Sequence, residues 1–209
     1  MKNKVKKISL MLLALSIIVS LVTPINLYAS MYSILLNTGR KWYDTPKTVY
    51  FSCDFNTAEK NAVSAAMSSW NNVKSFDNTS MVTLALTEHF TNNVIHYGIS
   101  VEGWVGACFY YPDSSYGQEE ITGVTICLDD SRSWSTNGSS GTFDIQSVVL
   151  HELGHALGVA HCHEAGEASP CWSATCLTNV MNPSTETGSG GINRTLKAYD
   201  TASYQMIYQ

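Results

Sequence analysis

Three histidines and a glutamate fall within eleven residues, HELGHALGVAH, from His151 to His161. His151 and His155 are four apart, so on a helix they stand one turn above the other on the same face and can aim their imidazole nitrogens at one point. Zinc accepts such nitrogens at about 2 Å. Glu152 follows His151 directly, so its carboxylate lies beside that point without ligating, where a general base belongs. The five-residue H-E-x-x-H core also arises on ordinary exposed helices as a Glu/His pair, and alone it does not decide between the two. The extension does: Gly158 permits a left-handed backbone that ends the helix, and His161 can then bring a third imidazole back. Three neutral histidines leave one tetrahedral position for water, the open arrangement of catalytic zinc. His163 falls outside this spacing and reads as a loop residue, and His96, inside an apolar run, reads as a sheet histidine.

The elements that position this motif are legible on both sides of it. KTVYFSCDF, from Lys47, carries strand-forming residues and stops at Asn56, which with Glu59 three residues later predicts a capped helix over 57–73. Val63, Ala66, Met67, Trp70 and Val73 recur there at helical spacing, with Trp70 as a core residue. From 81 to 129 short apolar or alternating runs, MVTLALTE, NVIHYGI, WVGACFYY and ITGVTICLD, read as strands of one sheet. Asp144 is the expected N-cap of the motif helix, whose Val149, Leu153 and Ala156 bury against the sheet with Leu150 and Leu157 alongside. KAYDTASYQMIYQ closes the chain as a helix with Tyr199, Ala202 and Met206 at helical intervals.

Composition narrows the setting. Residues 1–29 have a lysine-rich start, an apolar stretch from Ile8 to Val22, and small Ala29 at the end, the order of a secretory signal peptide. That stretch is shorter than the ~20 residues that span a bilayer. Its removal drops Lys+Arg from 12 to 8 against 17 acidic residues, a net charge of −9 on the remaining 30–209. Such a chain is not expected to bind nucleic acid or to associate integrally with membranes, and its size suits one domain, secreted, extracellular and monomeric. Cys53, Cys108, Cys127, Cys162, Cys171 and Cys176 are an even set, which in an exported chain predicts disulfides. The alternative of a Cys/His cluster from Cys162 to Cys176 lacks the close CxxC pairs of structural zinc.

HELGHALGVAH fills every specified position of H-E-x-x-H-x-x-G-x-x-H, and NVMNPS supplies a methionine turn at Met181, so the chain resembles the metzincin zinc endopeptidases. Pro183, two residues after Met181, is similar to the matrixin (matrix metalloproteinase) branch, as are LDDSRSW and the Tyr-ended terminus with Asp200. The resemblance implies an α+β, zincin-like fold: a twisted mixed sheet of about five strands with about three helices and the active-site helix at the cleft. It implies Met181 as an apolar floor under the zinc, Asp200 as support for that turn, and Pro183 as a wall of the pocket for the residue after the cut. Asp129 and Asp130 are candidates for calcium. The chain departs from the branch in three ways: it lacks the PRCGxPD cysteine-switch segment and any prodomain or hemopexin domain, its structural-zinc histidines have no match, with Cys127 standing near one, and 20 positions carrying three cysteines separate His161 from Met181.

The chemistry implied is hydrolysis of peptide bonds in protein or peptide substrates, extracellular matrix among them. Zinc on His151, His155 and His161 would lower the pKa of a water from ~15.7 toward ~7, with Glu152 as its base. An extended substrate would add to the sheet edge above the cleft. The competing expectation is a secreted binding or adhesion module that keeps zinc for folding and has little or no protease activity.

Overall fold

The computed structural model describes residues 38–79, 81–98, 103–111, 120–162, 178–182 and 191–208. The signal-peptide segment, His163, Cys171, Cys176 and Pro183 lie outside these residues. Alternation in KTVYFSC makes β1 (Lys47–Cys53), which buries Val49 and Phe51 on one face and exposes Tyr50 on the other. It joins β2 (Val82–Leu86), β3 (Val94–Gly98), β4 (Gly106–Tyr111) and β5 (Gly123–Asp129) in one sheet of order β2-β1-β3-β5-β4. All pairings are parallel except β4 against β5. Central β5 is accordingly buried almost throughout, with Val124, Ile126 and Leu128 at 0% exposure. A short pair, β6 (Trp134–Ser135) and β7 (Phe143–Asp144), leads into the motif helix.

Helix α1 (Thr57–Asn71) starts as expected: the Asn56 side chain accepts from the Ala58 and Glu59 N–H groups, and Glu59 accepts from the Asn56 N–H at 2.9 Å. It ends two residues before the expected limit, so Val73 packs on the core from beyond the helix. Helix α2 (Ile145–Ala156) carries the motif, and α3 (Ala198–Ile207) closes the described chain. Trp70 joins all three. Fully buried, it donates its indole N–H to the Leu150 carbonyl at 2.9 Å and meets the Tyr204 ring edge-on at 5.5 Å. Burying such a ring contributes roughly 2–3 kcal/mol, and the satisfied N–H avoids the penalty that would offset it.

Two expectations need correction. The buried face of α3 is Asp200, Ser203, Tyr204 and Ile207, not Tyr199, Ala202 and Met206. Two contacts set this rotation: Asp200 points inward to bind backbone N–H groups, and Tyr204 on the same face meets Trp70. The disulfide expectation fails for Cys53, Cys108 and Cys127, which are free thiols. Cys127 is opposite Ala107, which puts Cys108 on the other face of the sheet. Cys53 and Cys127 are kept apart by the intervening strand β3, a span of roughly 10 Å against the ~7 Å limit of a bridge.

Asp144 caps α2 as predicted and does more. Fully buried, it accepts from the Ser147 N–H at 2.9 Å and hydroxyl at 2.7 Å, and takes the Arg194 guanidinium at 2.6 and 3.0 Å. Burial works to raise its pKa, but Arg194 and Ser147 outweigh it and hold the carboxyl below its usual value. A carboxyl depressed in the folded state adds stability at pH above its unfolded value of ~3.9, and that stability is lost as pH falls through the folded pKa. Asp144→Ala is expected to cost about 2–4 kcal/mol at pH 7, discounted for the partial exposure of Arg194. Urea unfolding at pH 7 and pH 3 tests this: the gap between variant and parent should narrow in acid.

Candidate active site

On α2, His151 and His155 stand one turn apart, and the chain leaves the helix at Gly158, with φ +88°, to return His161. A Cβ at Gly158 would collide with the Arg40 carbonyl, so glycine is required by space as well as by conformation. The three Nε2 atoms lie 3.0, 3.1 and 3.2 Å from one another. They form the cluster able to hold a metal among the described residues.

The hydrogen bonds on the far side of the rings decide what these nitrogens are. His151 Nδ1 lies 2.6 Å from the Val180 carbonyl, and His155 Nδ1 lies 2.8 Å from the Val159 carbonyl. A carbonyl only accepts, so each Nδ1 carries the proton and each Nε2 presents a lone pair. Burial and the two neighbouring imidazoles hold His155 well below its ordinary pKa, so it stays neutral. Lone pairs facing one another at this distance repel unless a cation lies between them. Nitrogens ~2.0–2.1 Å from a tetrahedral zinc are roughly 3.3 Å apart, close to the spacing present, so the residues fit zinc.

The end of α2 that carries these ligands is tied down by donors at four successive carbonyls, the first of which, at His155, also accepts from Gly158 N–H at 2.7 Å. Tyr110 donates to the His155 carbonyl at 2.8 Å, the Trp42 indole to Ala156 at 2.9 Å, and Tyr208 to Leu157 at 3.0 Å. Thr38 N–H reaches Gly158 at 2.8 Å. Met181 is buried, and its side chain fills the space over Gly154, where a Cβ would meet its sulfur and the Trp70 ring. Asp200 holds that turn. Its carboxylate accepts from the Val180 and Met181 N–H groups at 3.0 Å each and from Lys197 N–H at 2.8 Å. Burial pushes the Asp200 carboxyl up, and the three backbone donors work against that rise.

Glu152 is 5% exposed on the β4 side of α2, its carboxylate beside Gly106. Burial pushes it up to about 8, a value that a cation held nearby would pull down.

The family model for matrixin matches residues 47–208. The chain belongs to the matrixin family. A comparison with curated proteins returned no match. Membership establishes an α+β catalytic domain of a zinc-dependent metalloendopeptidase family that acts on protein or peptide substrates, and the triad fits its catalytic zinc.

Other candidates fare differently in this matrixin. His96 is a sheet residue of β3 whose Nδ1 lies 2.7 Å from its neighbour's carbonyl at Tyr97. The buried Asp129 carboxylate accepts from the Ser131 N–H at 2.9 Å and hydroxyl at 2.7 Å and from Arg132 at 2.8 Å. Sequence reasoning missed the carbonyls that orient His151 and His155, and also Tyr110, Trp42 and Arg194. No local pattern marks Val180, Tyr110, Trp42 or Arg194, because each acts on a residue far along the chain, whereas Val159 lies only four residues from His155.

Asp200→Asn replaces one acceptor oxygen with a donor that faces backbone N–H groups. It is expected to weaken zinc binding by about 10-fold while leaving the far-UV circular dichroism unchanged. Competition with a chromophoric chelator measures the affinity.

Proposed function

We propose that this matrixin is an exported endopeptidase in which Glu152 is the general base, residues 1–29 acting as a signal peptide and residues 30–209 as the secreted domain. Among the described residues no helix is long and apolar enough to cross a membrane. The observation that carries the reading is Glu152 itself. It is buried, and among the described residues no donor is hydrogen-bonded to it, although it directly follows His151 of the triad. A carboxyl with a structural role is normally paired when buried, because the unpaired group costs several kcal/mol. A perturbed, unpaired carboxyl in a metal cleft is the pattern of a working acid or base. The same observation weighs against a binding or adhesion module, which has no use for this carboxyl.

When bound, zinc supplies Lewis acidity toward water and the scissile carbonyl. His151, His155 and His161 would hold it, with His151 and His155 kept in one tautomer because Val180 and Val159 take their Nδ1 protons. Glu152 takes the proton of the attacking water on a carboxylate oxygen and returns it to the departing amine nitrogen. The substrate is supported by β4, which lies at the edge of the sheet among the described residues. Asp129 N–H donates to the Val105 carbonyl, and antiparallel alternation then turns the N–H and C=O groups of Gly106, Cys108 and Tyr110 away from β5. An extended peptide can pair with them, giving backbone recognition with little demand on sequence.

Glu152→Gln is expected to retain stoichiometric zinc and lose ~100-fold or more in hydrolysis. Unchanged turnover would exclude Glu152 as the base. His155→Ala should lose the metal, read by elemental analysis of the purified protein, and full zinc occupancy would sink the three-histidine centre. Incubation of residues 30–209 with a mixed peptide library, with and without a chelator, separates enzyme from binding module.

A further inference from the structure

The loop between β6 and β7 holds the one Asn-Gly pair of the sequence, Asn137 followed by Gly138. Such a pair is chemically exposed, because a glycine nitrogen has no side chain beside it to shield it from the asparagine's own amide. The fold requires the glycine: its φ is +70°, and a Cβ there would collide with Ile192. Asn137 is exposed to solvent, and among the described residues no acceptor takes the Gly138 N–H.

The Asn137 side chain is held by a single neighbour. Its Oδ1 accepts from the Ser139 N–H at 3.2 Å and from the Ser139 hydroxyl at 2.5 Å. A backbone N–H only donates, so the amide oxygen and not the amide nitrogen faces Ser139. Ser139 is itself fixed, since its carbonyl accepts from Thr142 N–H and its N–H also reaches Ser135 Oγ, each at 3.2 Å. Two donors so placed draw electrons from the amide carbon and stand where negative charge collects when that carbon is attacked. Other asparagines have only part of this arrangement. Asn56 Oδ1 also accepts from two N–H groups, but branched Thr57 follows it and opens α1. Asn78 is exposed, but Thr79 covers the next nitrogen.

We propose that Asn137 is a site of spontaneous self-modification, at which the Gly138 nitrogen attacks the side-chain carbonyl while Ser139 stabilises the oxyanion. The Gly138 N–H gives its proton to water as the bond from nitrogen to Cγ forms. The bond from Cγ to the side-chain amino group then breaks, and that group takes a proton from water and leaves as ammonia. Water opens the five-membered imide at either carbonyl, giving an aspartyl residue or an isoaspartyl residue whose main chain runs through the former side chain. Water is the sole co-reactant, and the step is independent of the endopeptidase reading. Its consequence lies next door. The Thr136 carbonyl accepts from Arg194 at 2.7 Å, and Arg194 pairs with Asp144, the N-cap of the helix that carries the histidines. The isoaspartyl form adds a methylene to the main chain one residue from that contact and so loosens the brace on α2.

The test incubates the zinc-loaded protein in mildly alkaline heavy-oxygen water and maps the label by peptide mass spectrometry. Heavy oxygen is expected at Asn137 before it appears at Asn56 or Asn78, with the isoaspartyl product in excess of the aspartyl one. Ser139→Ala should slow the native conversion about 3-fold, a small part of what one oxyanion donor gives in a dry site. In urea, where the loop geometry is gone, parent and Ser139→Ala should convert at the same rate. Ser139→Thr keeps both donors and should retain the parent rate, and Asn137→Gln should take up no label at this position. Label appearing first at Asn56 or Asn78, or Ser139→Ala converting as fast as the parent in the native state, overturns the proposal. The isoaspartyl fraction, separated by ion exchange, should unfold at a lower urea concentration than the unconverted protein. Equal midpoints overturn the loosening of the brace.

Discussion

His151 and His155, whose Nδ1 protons are committed to backbone carbonyls, must turn their Nε2 lone pairs inward, and the three Nε2 atoms of the triad stand 3.0–3.2 Å apart. That arrangement is unfavourable without a cation, so the rest of the fold has to hold it in place. Each orienting carbonyl belongs to a segment that is itself restrained. Val159 follows the turn at Gly158, and Val180 belongs to the methionine turn, whose N–H groups end on Asp200. The zinc centre is therefore only as rigid as α3, which supplies Asp200, and α3 is fixed in turn by Tyr204 against Trp70. Distant parts of the chain converge on a few backbone atoms, which is how a metal site is preorganised before the metal arrives.

The same helix meets two opposing demands. Its N-terminal end is sealed by a buried ion pair, Asp144 with Arg194, and its C-terminal end by side-chain donors from Tyr110, Trp42 and Tyr208. Between them Glu152 is buried and left unpaired. Stability is concentrated at the ends of α2, whereas its middle carries a carboxyl that a purely stabilising design would have paired or removed. Such a local conflict with polar satisfaction is expected where chemistry is done. The edge position of β4 fits the same logic. An exposed edge strand invites pairing with another chain, and here its first residue, Gly106, lies against Glu152.

Much of the site was legible before any fold was known. The spacing His151, His155, Gly158, His161 predicts a helix, its end and a return, because helical periodicity and the left-handed tolerance of glycine are local properties. Asn56 with Glu59 and Asp144 announced two helix starts for the same reason. Where reading by local pattern failed, a long-range partner had won. The apolar spacing of Tyr199, Ala202 and Met206 suggested one face of α3, but Asp200 rotated the helix toward the methionine turn. The even cysteine count suggested bridges, but strand pairing put Cys108 and Cys127 on opposite faces and placed β3 between Cys53 and Cys127.

Sequence alone thus determined the histidine triad, the glutamate next to His151 and the helix that carries them, since all are encoded by residue type at short separation. Tertiary structure decided which ring nitrogen of His151 faces the triad, how α3 is turned, and that Arg40 stands over Tyr110. Those outcomes depend on contacts between residues tens of positions apart, and their geometry is set only when the sheet and helices pack and every buried donor and acceptor must find its partner.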